Sequence, residues 1–403
     1  MANSSPQAIV PKSSPSPQQP APPANSAVPT NVPKALNTPE VILERVKRAT
    51  AFIEGKNGSS GTAFVIGRGI LATNSHVIRG DYLNDIRVRF IVADNVKAES
   101  LPVKLLYEDA RRDLALLAVQ IPDSLEPLRL AVHEKGIPAG LPVALIGNPG
   151  RLEGAYREIH AVTEGVVEGP VVFKTMDVYY HTTAEGARGT SGGPVIDSKT
   201  GDVIGVQTIG MGESRNPLAR GPGPKRVSHK GASQETLCVP SIFVRDALDE
   251  VAAAPDRDQL TEQATARHLV LMVTLKICKF HENTVVAAEA NKRIRQQRWG
   301  VSSRCLDVIN DYSASYNRTM GELRPALRQV RNTSALRHSI KNALQEFVDN
   351  YEETKKEAVK LKVMYYKQFD DRYDGLIRKH EKLQRKLFKE LEIPEHVASW
   401  LLQ

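Results

Sequence analysis

The chain of 403 residues contains only three cysteines, Cys238, Cys278 and Cys305. They are too few, odd in number and too scattered for a disulfide framework, and no C-x-x-C pair indicates a structural zinc site. No apolar run approaches the roughly 20 residues that cross a bilayer. The first thirty residues lack the basic start and the apolar stretch of a secretion signal. These absences predict a cytoplasmic protein with no membrane partner.

Size and charge divide the chain into unlike parts. It is too long for one ordinary domain, and its 41% hydrophobic residues suffice for buried cores. The formal net charge is +8, yet residues 251–403 alone hold 27 Lys and Arg against 20 Asp and Glu. Residues 1–39 add two lysines and no acid. The positive charge therefore lies outside the middle of the chain.

Composition predicts three segments. Residues 1–39 are dominated by Pro, Ser, Ala, Asn and Gln, and such a segment cannot bury enough apolar surface to offset its ordering entropy. We expect a disordered tail there. We place an all-β domain at residues 40–257 and an all-α domain at residues 258–403, where Gly and Pro become rare. The predicted fold class is thus multidomain, with a β domain before a helical one.

The β domain is predicted from short apolar runs rich in Val, Ile, Thr, Ala and Leu. Gly, Pro, Asn and Asp separate runs such as GTAFVIG, LALLAV, PVALIG and DVIGVQT at turn-like intervals. Many short strands with this spacing indicate a sandwich or barrels rather than βαβ units. Residues 211–235 form a long polar stretch that we expect to be a loop.

Helical periodicity characterises the C-terminal part. One set of residues alternates +3 and +4 steps over three heptads, which predicts a coiled-coil hairpin or an oligomer contact. This heptad seam consists of Tyr366, Phe369, Tyr373, Leu376, His380, Leu383 and Leu387. Basic runs at residues 292–298 and 379–386 could meet phosphates, but interleaved acids favour a solvated helix face over a nucleic-acid site.

Three local patterns carry residues typical of nucleophilic catalysis. The first, GTAFVIGRGILATNSHVI, predicts two strands joined by a tight turn at residues 67–69, the second strand ending at His76. In the second, RRDLALLAV, Asp113 directly precedes an apolar strand. In the third, EGARGTSGGPVID, Ser191 lies in a glycine-rich loop that runs into a strand.

Chemistry explains why these residue types belong together. A serine hydroxyl becomes a good nucleophile when a neighbouring imidazole takes its proton, and a buried carboxylate holds that imidazole in one tautomer. Backbone N–H donors stabilise the oxyanion, and glycines let the chain turn its amides toward the substrate. We predict His76, Asp113 and Ser191 as a catalytic triad, and the amides of Gly189 and Ser191 as the oxyanion hole.

These patterns resemble the trypsin-like serine proteases, most closely their HtrA/Deg-type branch, over about residues 45–250. TNSHVI is similar to the family's catalytic-histidine segment, DLALL to its aspartate strand and GTSGGPV to its nucleophile loop. The resemblance implies two perpendicular β-barrels with the triad in the cleft between them. It also implies that Thr208, Ile209 and Gly210 pair with an extended substrate. No PDZ-like module follows residue 250, so regulation is expected to involve the helical region.

Two further acidic residues have competing interpretations. Asp109 is a rival for the triad carboxylate, but it lies in polar sequence and is expected to be solvated. Glu185 lies six residues before Ser191, where trypsin-like enzymes have the base of the primary specificity pocket. A glutamate at the rim that points to solvent is at least as good an interpretation, so Glu185 is not assigned to the site.

The predicted function is a serine endopeptidase that hydrolyses protein or peptide substrates through an acyl-enzyme, with no metal and no organic cofactor. The C-terminal helices are expected to bind a partner protein or to form a homo-oligomer. The alternative is a catalytically silent protease-fold scaffold or sensor that acts through protein binding. Nucleic-acid binding by the helices is disfavoured and stays open.

Overall fold

The computed structural model describes residues 38–56, 59–91, 100–122, 125–131, 133–151, 156–157, 159–172, 178–208, 236–296, 320–321, 323–360 and 367–393. Most of the predicted tail, residues 1–37, and the whole predicted loop 211–235 lie outside these ranges. Helix α1 (Pro39–Arg48) begins the described chain and buries Ile42 and Val46 against the β domain.

The first half of the β domain is an open antiparallel sheet of seven strands in the order β5-β4-β1-β2-β3-β7-β6. The mainly apolar strands β2 and β3 are buried at almost every position, whereas β4 alternates buried and half-buried positions. A left-handed Gly69, with φ of 71°, makes the tight turn predicted between β2 and β3. The strands are β1 (Thr50–Gly55), β2 (Ser60–Gly67), β3 (Ile70–Thr73), β4 (Ile86–Phe90), β5 (Leu101–Pro102), β6 (Lys104–Asp109) and β7 (Leu114–Ala118).

The second half is a closed barrel in the order β11-β12-β15-β14-β13-β8. Its interior is filled by apolar residues such as Leu145, Val167 and Val195, together with the free thiol of Cys238. Burial raises the pKa of that thiol to about 12. The strands of this half, including the separate hairpin β9–β10, are β8 (Pro142–Gly147), β9 (Gly150–Arg151), β10 (Tyr156–Arg157), β11 (Ala161–Val172), β12 (Val178–Thr182), β13 (Pro194–Asp197), β14 (Val203–Thr208) and β15 (Thr236–Pro240).

Buried polar side chains join the two halves. The Thr62 hydroxyl on β2 donates to the Gly189 carbonyl at 2.7 Å and accepts from the Asn148 amide at 3.0 Å. The Asn148 side chain in turn donates to the Ala51 carbonyl at 3.2 Å. These bonds fix the two sheets against each other along the cleft where the predicted site lies. A barrel and a half-barrel thus confirm the predicted double-barrel β domain.

Helices follow the barrel, as predicted. α3 (Ser241–Ala253) begins directly after β15, and α4 (Arg257–Gln296) is the longest helix in the described residues. Residues 323–332 are helical, and α5 (His338–Lys360) packs against α6 (Lys367–Glu390). The remaining helices are the four-residue α2 (Ser75–Ile78) and the 3-10 turn Leu83–Asp85. None of the described helices is both long and apolar enough for a membrane span.

The core of the helical region contains part of the heptad seam. Leu376, His380, Leu383 and Leu387 of α6 are all buried. Leu383 and Leu387 join Phe347 and Tyr351 of α5 in one apolar cluster. The seam residue Tyr366 lies outside the described residues. The buried members confirm a packing role, and the coiled coil itself stays a prediction.

Helix α4 also packs against the β domain. Its first turns place Leu260 and Ala264 on the core of the seven-stranded sheet, and Ala110 beyond β6 joins the core of the helical region. Residues 38–403 form one compact unit by their contacts. The division at residue 257 therefore stays a prediction, although α4 begins at that residue.

Candidate active site

His76 and Asp113, joined by two hydrogen bonds, form the centre of the site. His76 Nδ1 lies 2.7 Å from Asp113 Oδ2, and the His76 backbone amide donates to Asp113 Oδ1 at 2.9 Å. His76 lies in α2 rather than in a strand, since β3 ends at Thr73. The prediction that the second strand ends at His76 is therefore wrong by three residues. The short helix is what aims the amide and the ring of His76 at one carboxylate.

Asp113 is fixed by its own backbone as well as by its carboxylate. It precedes β7 with a φ of 57°, a left-handed conformation that Asp and Asn adopt more readily than other side chains. The Asn74 side chain donates to the Asp113 carbonyl at 2.9 Å. Asp113 is 0% exposed, so its carboxylate is held away from water and faces His76.

Two other side chains reach the same carboxylate. Thr208 Oγ1 donates to Asp113 Oδ2 at 2.6 Å, and Arg79 Nη2 lies 3.5 Å from Oδ1. Burial alone would raise the pKa of Asp113. The charge and hydrogen bond of His76, the charge of Arg79 and the Thr208 hydroxyl together hold that pKa below its ordinary value. Asp113 is therefore an anion in the neutral range.

The loop that carries Ser191 lies in the cleft between the two sheets. Gly189 and Gly192 have φ values of 98° and 85°, which side chains rarely adopt. The Ser191 carbonyl accepts the Thr62 amide at 2.8 Å. A Cβ on Gly192 would lie 2.2 Å from the Thr62 carbonyl oxygen and 3.2 Å from the Asn74 nitrogen. The glycine thus brings the loop against the segment that leads to His76.

The two amides predicted as the oxyanion hole have no acceptor among the described residues. Within the described residues, neither the amide of Gly189 nor that of Ser191 donates a hydrogen bond. Neighbouring groups are satisfied, since the Thr190 hydroxyl donates to the Ala187 carbonyl at 2.7 Å and the Gly192 amide to the Gln207 carbonyl at 2.8 Å. No hydrogen bond links Ser191 Oγ to His76 in this part of the chain.

A second buried carboxylate, which the sequence analysis missed, lies beside this centre. Glu108 on β6 accepts from the Ser75 hydroxyl at 2.5 Å and lies 3.0 Å from His268 Nδ1 of α4. Burial would raise the pKa of Glu108, but the charge and hydrogen bond of His268, the Ser75 hydroxyl and the charge of Arg79 lower it overall. No local sequence signal marks this contact, because its partners are up to 160 residues apart.

The remaining predicted residues have different outcomes. The expectation that Asp109 is solvated is wrong, because its carboxylate accepts the amides of Arg111 and Arg112 and pairs with the Arg112 guanidinium at 2.9 Å. Glu185 is exposed, as the rim interpretation requires. Thr208 ends β14, and its carbonyl accepts from the Gln207 side chain at 2.8 Å. The other two predicted substrate-pairing positions, 209 and 210, lie outside the described residues.

Part of the β domain matches a known family, and the chain is similar to several known proteins. Residues 61–206 match the family described as the trypsin-like peptidase domain. The chain is 30% identical over 197 residues to the anti-sigma-I factor RsgI9 of Acetivibrio thermocellus, which covers 47% of this chain and 26% of that protein. It is 29% identical over 153 residues to the periplasmic serine endoprotease DegP of Salmonella typhimurium, covering 37% of this chain and 29% of DegP.

A solved structure is similar over about half of the chain. The HtrA-type protease AlgW with tripeptide has a TM-score of 0.41 and 21% identity, over 54% of this chain and 64% of that one. The chain spans less than a third of the length of the two relatives above.

The relatives correct one expectation and support another. The prediction of a cytoplasmic location is wrong, because the similar endoproteases of known location are periplasmic or chloroplastic. The predicted resemblance to the HtrA/Deg branch is confirmed. Residues 61–206 thus match the trypsin-like peptidase domain, and the chain is similar to HtrA/Deg-type serine endopeptidases.

Proposed function

We propose that this peptidase domain is a serine endopeptidase in which Ser191 is the nucleophile, His76 the general base and Asp113 the carboxylate that orients His76. The observation that carries the proposal is the pair of hydrogen bonds between His76 and the buried Asp113, at 2.7 Å and 2.9 Å. This arrangement fixes the proton on Nδ1 and leaves Nε2 of the ring as the base.

Each part of the site has a chemical step. Nε2 of His76 takes the Ser191 proton as Oγ attacks the peptide carbonyl, and the amides of Gly189 and Ser191 donate to the oxyanion. The C–N bond then breaks as His76 returns the proton to the leaving amine. Water, activated by the same imidazole, hydrolyses the acyl-enzyme and releases Ser191.

The substrate is proposed to lie extended along the end of β14. Within the described residues, β13 stops pairing with β14 at Val206, and Thr208 is the last residue of β14, so we propose that a substrate backbone pairs from Thr208 onward. Main-chain pairing of this kind favours unfolded or flexible protein segments over folded ones.

Covalent labelling tests the proposal. The full-length chain is treated with a fluorophosphonate probe, and Ser191→Ala is compared with Ser198→Ala, a change in the turn after β13. We expect labelling of the parent and of Ser198→Ala, and none of Ser191→Ala. The same three chains are then incubated with an unfolded protein such as casein, which only the two labelled chains should cleave. A parent chain that neither labels nor cleaves would favour the alternative of a silent scaffold.

The helical region is proposed to assemble or regulate the enzyme. The heptad seam and the net positive charge of this region motivate the proposal of contact with a partner protein or a second copy of this chain. Similarity to an anti-sigma-I factor is in keeping with a regulatory setting. Sedimentation of the full chain over a range of concentrations measures self-association, and a monomer at all concentrations would leave the partner protein as the candidate.

A further inference from the structure

A buried histidine–carboxylate contact crosses from the helical region into the β domain. His268 of α4 is 0% exposed, and its Nδ1 lies 3.0 Å from Oε2 of Glu108, whose side chain is 7% exposed. In the described part of the chain, Nε2 of His268 has no hydrogen-bond partner. Because Nε2 is unpaired, the hydrogen bond from Nδ1 to Glu108 is the polar contact that the His268 ring makes there.

The other carboxylate oxygen of Glu108 connects this contact to the proposed catalytic histidine. It accepts the hydroxyl of Ser75, the residue before His76 and the first residue of α2. The buried Arg79 lies one turn further along, with Nη2 3.5 Å from Asp113 Oδ1, and its charge also lowers the pKa of Glu108. The segment carrying His76 is therefore held by Asp113 on one side and by Glu108 on the other.

The position of His268 depends on how α4 packs. Leu260 and Ala264 rest on the core of the seven-stranded sheet, and the Lys276 ammonium lies 5.5 Å from the centre of the Tyr82 ring. These contacts lie on both sides of His268 along the helix. A shift of α4 away from β6 would break the contact with Glu108 and leave that carboxylate buried with one oxygen unpaired, which is costly.

We infer that His268 is a positioning residue for the proposed peptidase reaction: through Glu108 and Ser75 it fixes the turn that carries His76, so the site is complete only when α4 is docked on β6. The inference rests on the proposed function. It makes the helical region part of the active-site support, and any partner that moves α4 becomes a regulator of catalysis.

The test compares two buried histidines of the same helix in the full-length chain. His268→Leu removes the donor to Glu108, and His268→Asn returns an N–H donor near the place of Nδ1. His281→Leu is the matched control, because His281 is also buried on α4 but stacks on His380 in the core of the helical region. The maximal rate of fluorophosphonate labelling and the half-saturating probe concentration are measured for each.

We expect His268→Leu to lower the maximal labelling rate about tenfold or more with the half-saturating concentration unchanged, since small misplacements of reacting groups have effects of this size. His268→Asn should recover to within about threefold of the parent, and His281→Leu should match the parent. Equal slowing in His268→Leu and His281→Leu, or no slowing in either, would overturn the inference.

A second readout does not depend on activity. A proton shared between His76 Nδ1 and the Asp113 carboxylate gives an NMR resonance far downfield of the amides. This resonance should broaden or vanish in His268→Leu and persist in His281→Leu. A parent chain that never labels would overturn the proposed function alone. The inference would then stand if the resonance is lost in His268→Leu only, and fall if His268→Leu keeps it. Should His268→Leu fail to fold, Ser75→Ala breaks the same connection from the β domain, and an unchanged labelling rate and resonance there would overturn it.

Discussion

Helix α4 buries two histidines in regions that treat them in opposite ways. Where α4 contacts the β domain, His268 bonds to Glu108, and Glu108 in turn holds Ser75. In the core of the helical region, His281 stacks on His380 at 3.6 Å between ring centres. All four ring nitrogens of that stack lack a hydrogen-bond partner in the described part of the chain.

The difference teaches what burial does to a titratable group with and without partners. Near the β domain, partners outweigh desolvation, so the pKa of both Asp113 and Glu108 falls below the ordinary value and the charges persist. In the helical core, desolvation acts without compensation and lowers the pKa of His281 to about 4 and of His380 to about 2. In the first region, near the β domain, charged carboxylates hold neighbouring side chains in place. In the helical core, neutral histidine rings pack against one another.

The largest effect is expected where a charge of the first region meets the proposed reaction. Asp113→Asn keeps a side chain that tolerates the left-handed backbone but removes the anion that sets the His76 tautomer. We expect the labelling rate of Ser191 to fall by about 10³- to 10⁴-fold. Asp109→Asn is the control, since Asp109 holds the turn and does not touch His76, and it should label within a few-fold of the parent. A larger loss of labelling in Asp109→Asn than in Asp113→Asn would show that Asp113 is not the triad carboxylate.

Removing Arg79 should destabilise the region around Asp113 and Glu108. Arg79→Met leaves two buried carboxylates without their shared cation, so the free energy of unfolding at neutral pH should drop by about 3–5 kcal/mol. Denaturant titration measures it. Arg129→Met, which removes a mainly exposed partner of Asp202, should cost less than about 1 kcal/mol.

The pH dependence of that deficit carries a definite sign. The pKa of each carboxylate is lower in the folded parent than in the unfolded chain, so the stability it contributes is present above about pH 4 and lost as pH falls. The gap between parent and Arg79→Met should therefore be widest at neutral pH and narrow in acid. A gap that widens as the pH falls would contradict the buried-cation interpretation.

The histidine stack predicts the opposite kind of variant, one that gains stability. Because the pKa of both rings is lower in the folded state, the unfolded chain binds more protons below pH 6.5. The free energy of unfolding therefore decreases as the pH is lowered. His380→Phe keeps an aromatic ring beside His281 and Phe347 and removes one such group. Relative to its effect at pH 8, we expect it to gain about 2 kcal/mol at pH 5.

Denaturant titrations at the two pH values measure this gain. His338→Gln provides the comparison, since His338 is exposed at the start of α5 and should show no such difference. If His380→Phe loses the same stability at pH 5 and pH 8, the stack is not the acid-sensitive element of the helical core.

Local signals made much of the fold and site predictable from sequence. Short apolar strands, the Gly69 turn and the serine loop each depend on residues within a few positions of one another. The strand-to-helix change at His76 was missed although Asn74, a residue type common at helix starts, precedes it. The role of Asp109 also had a signal, because an Asp whose carboxylate accepts the amide two residues later is a common turn motif.

Contacts between distant segments left no such signal. Arg79 and Thr208 reach Asp113 from two different elements, and His268 reaches Glu108 across 160 positions. Helical periodicity marks buried positions of α4 but does not say which strand they face. A buried His in such a pattern is most simply a packing residue, which describes His281 and not His268.

The smallest effect tests how finely the first region is tuned. Thr208 Oγ1 donates at 2.6 Å to Asp113 Oδ2, the oxygen that also faces His76 Nδ1. Thr208→Val keeps the shape and deletes the donor, so the carboxylate is less firmly held and its pKa rises. We expect the labelling rate to fall about five- to tenfold, the loss of one hydrogen bond worth about 1 kcal/mol. Thr208→Ser keeps the hydroxyl and should stay within about twofold of the parent. If both variants are labelled more slowly than the parent by the same factor, the packing of this side chain matters and its hydrogen bond does not. In that case His76 and Arg79 alone hold the carboxylate.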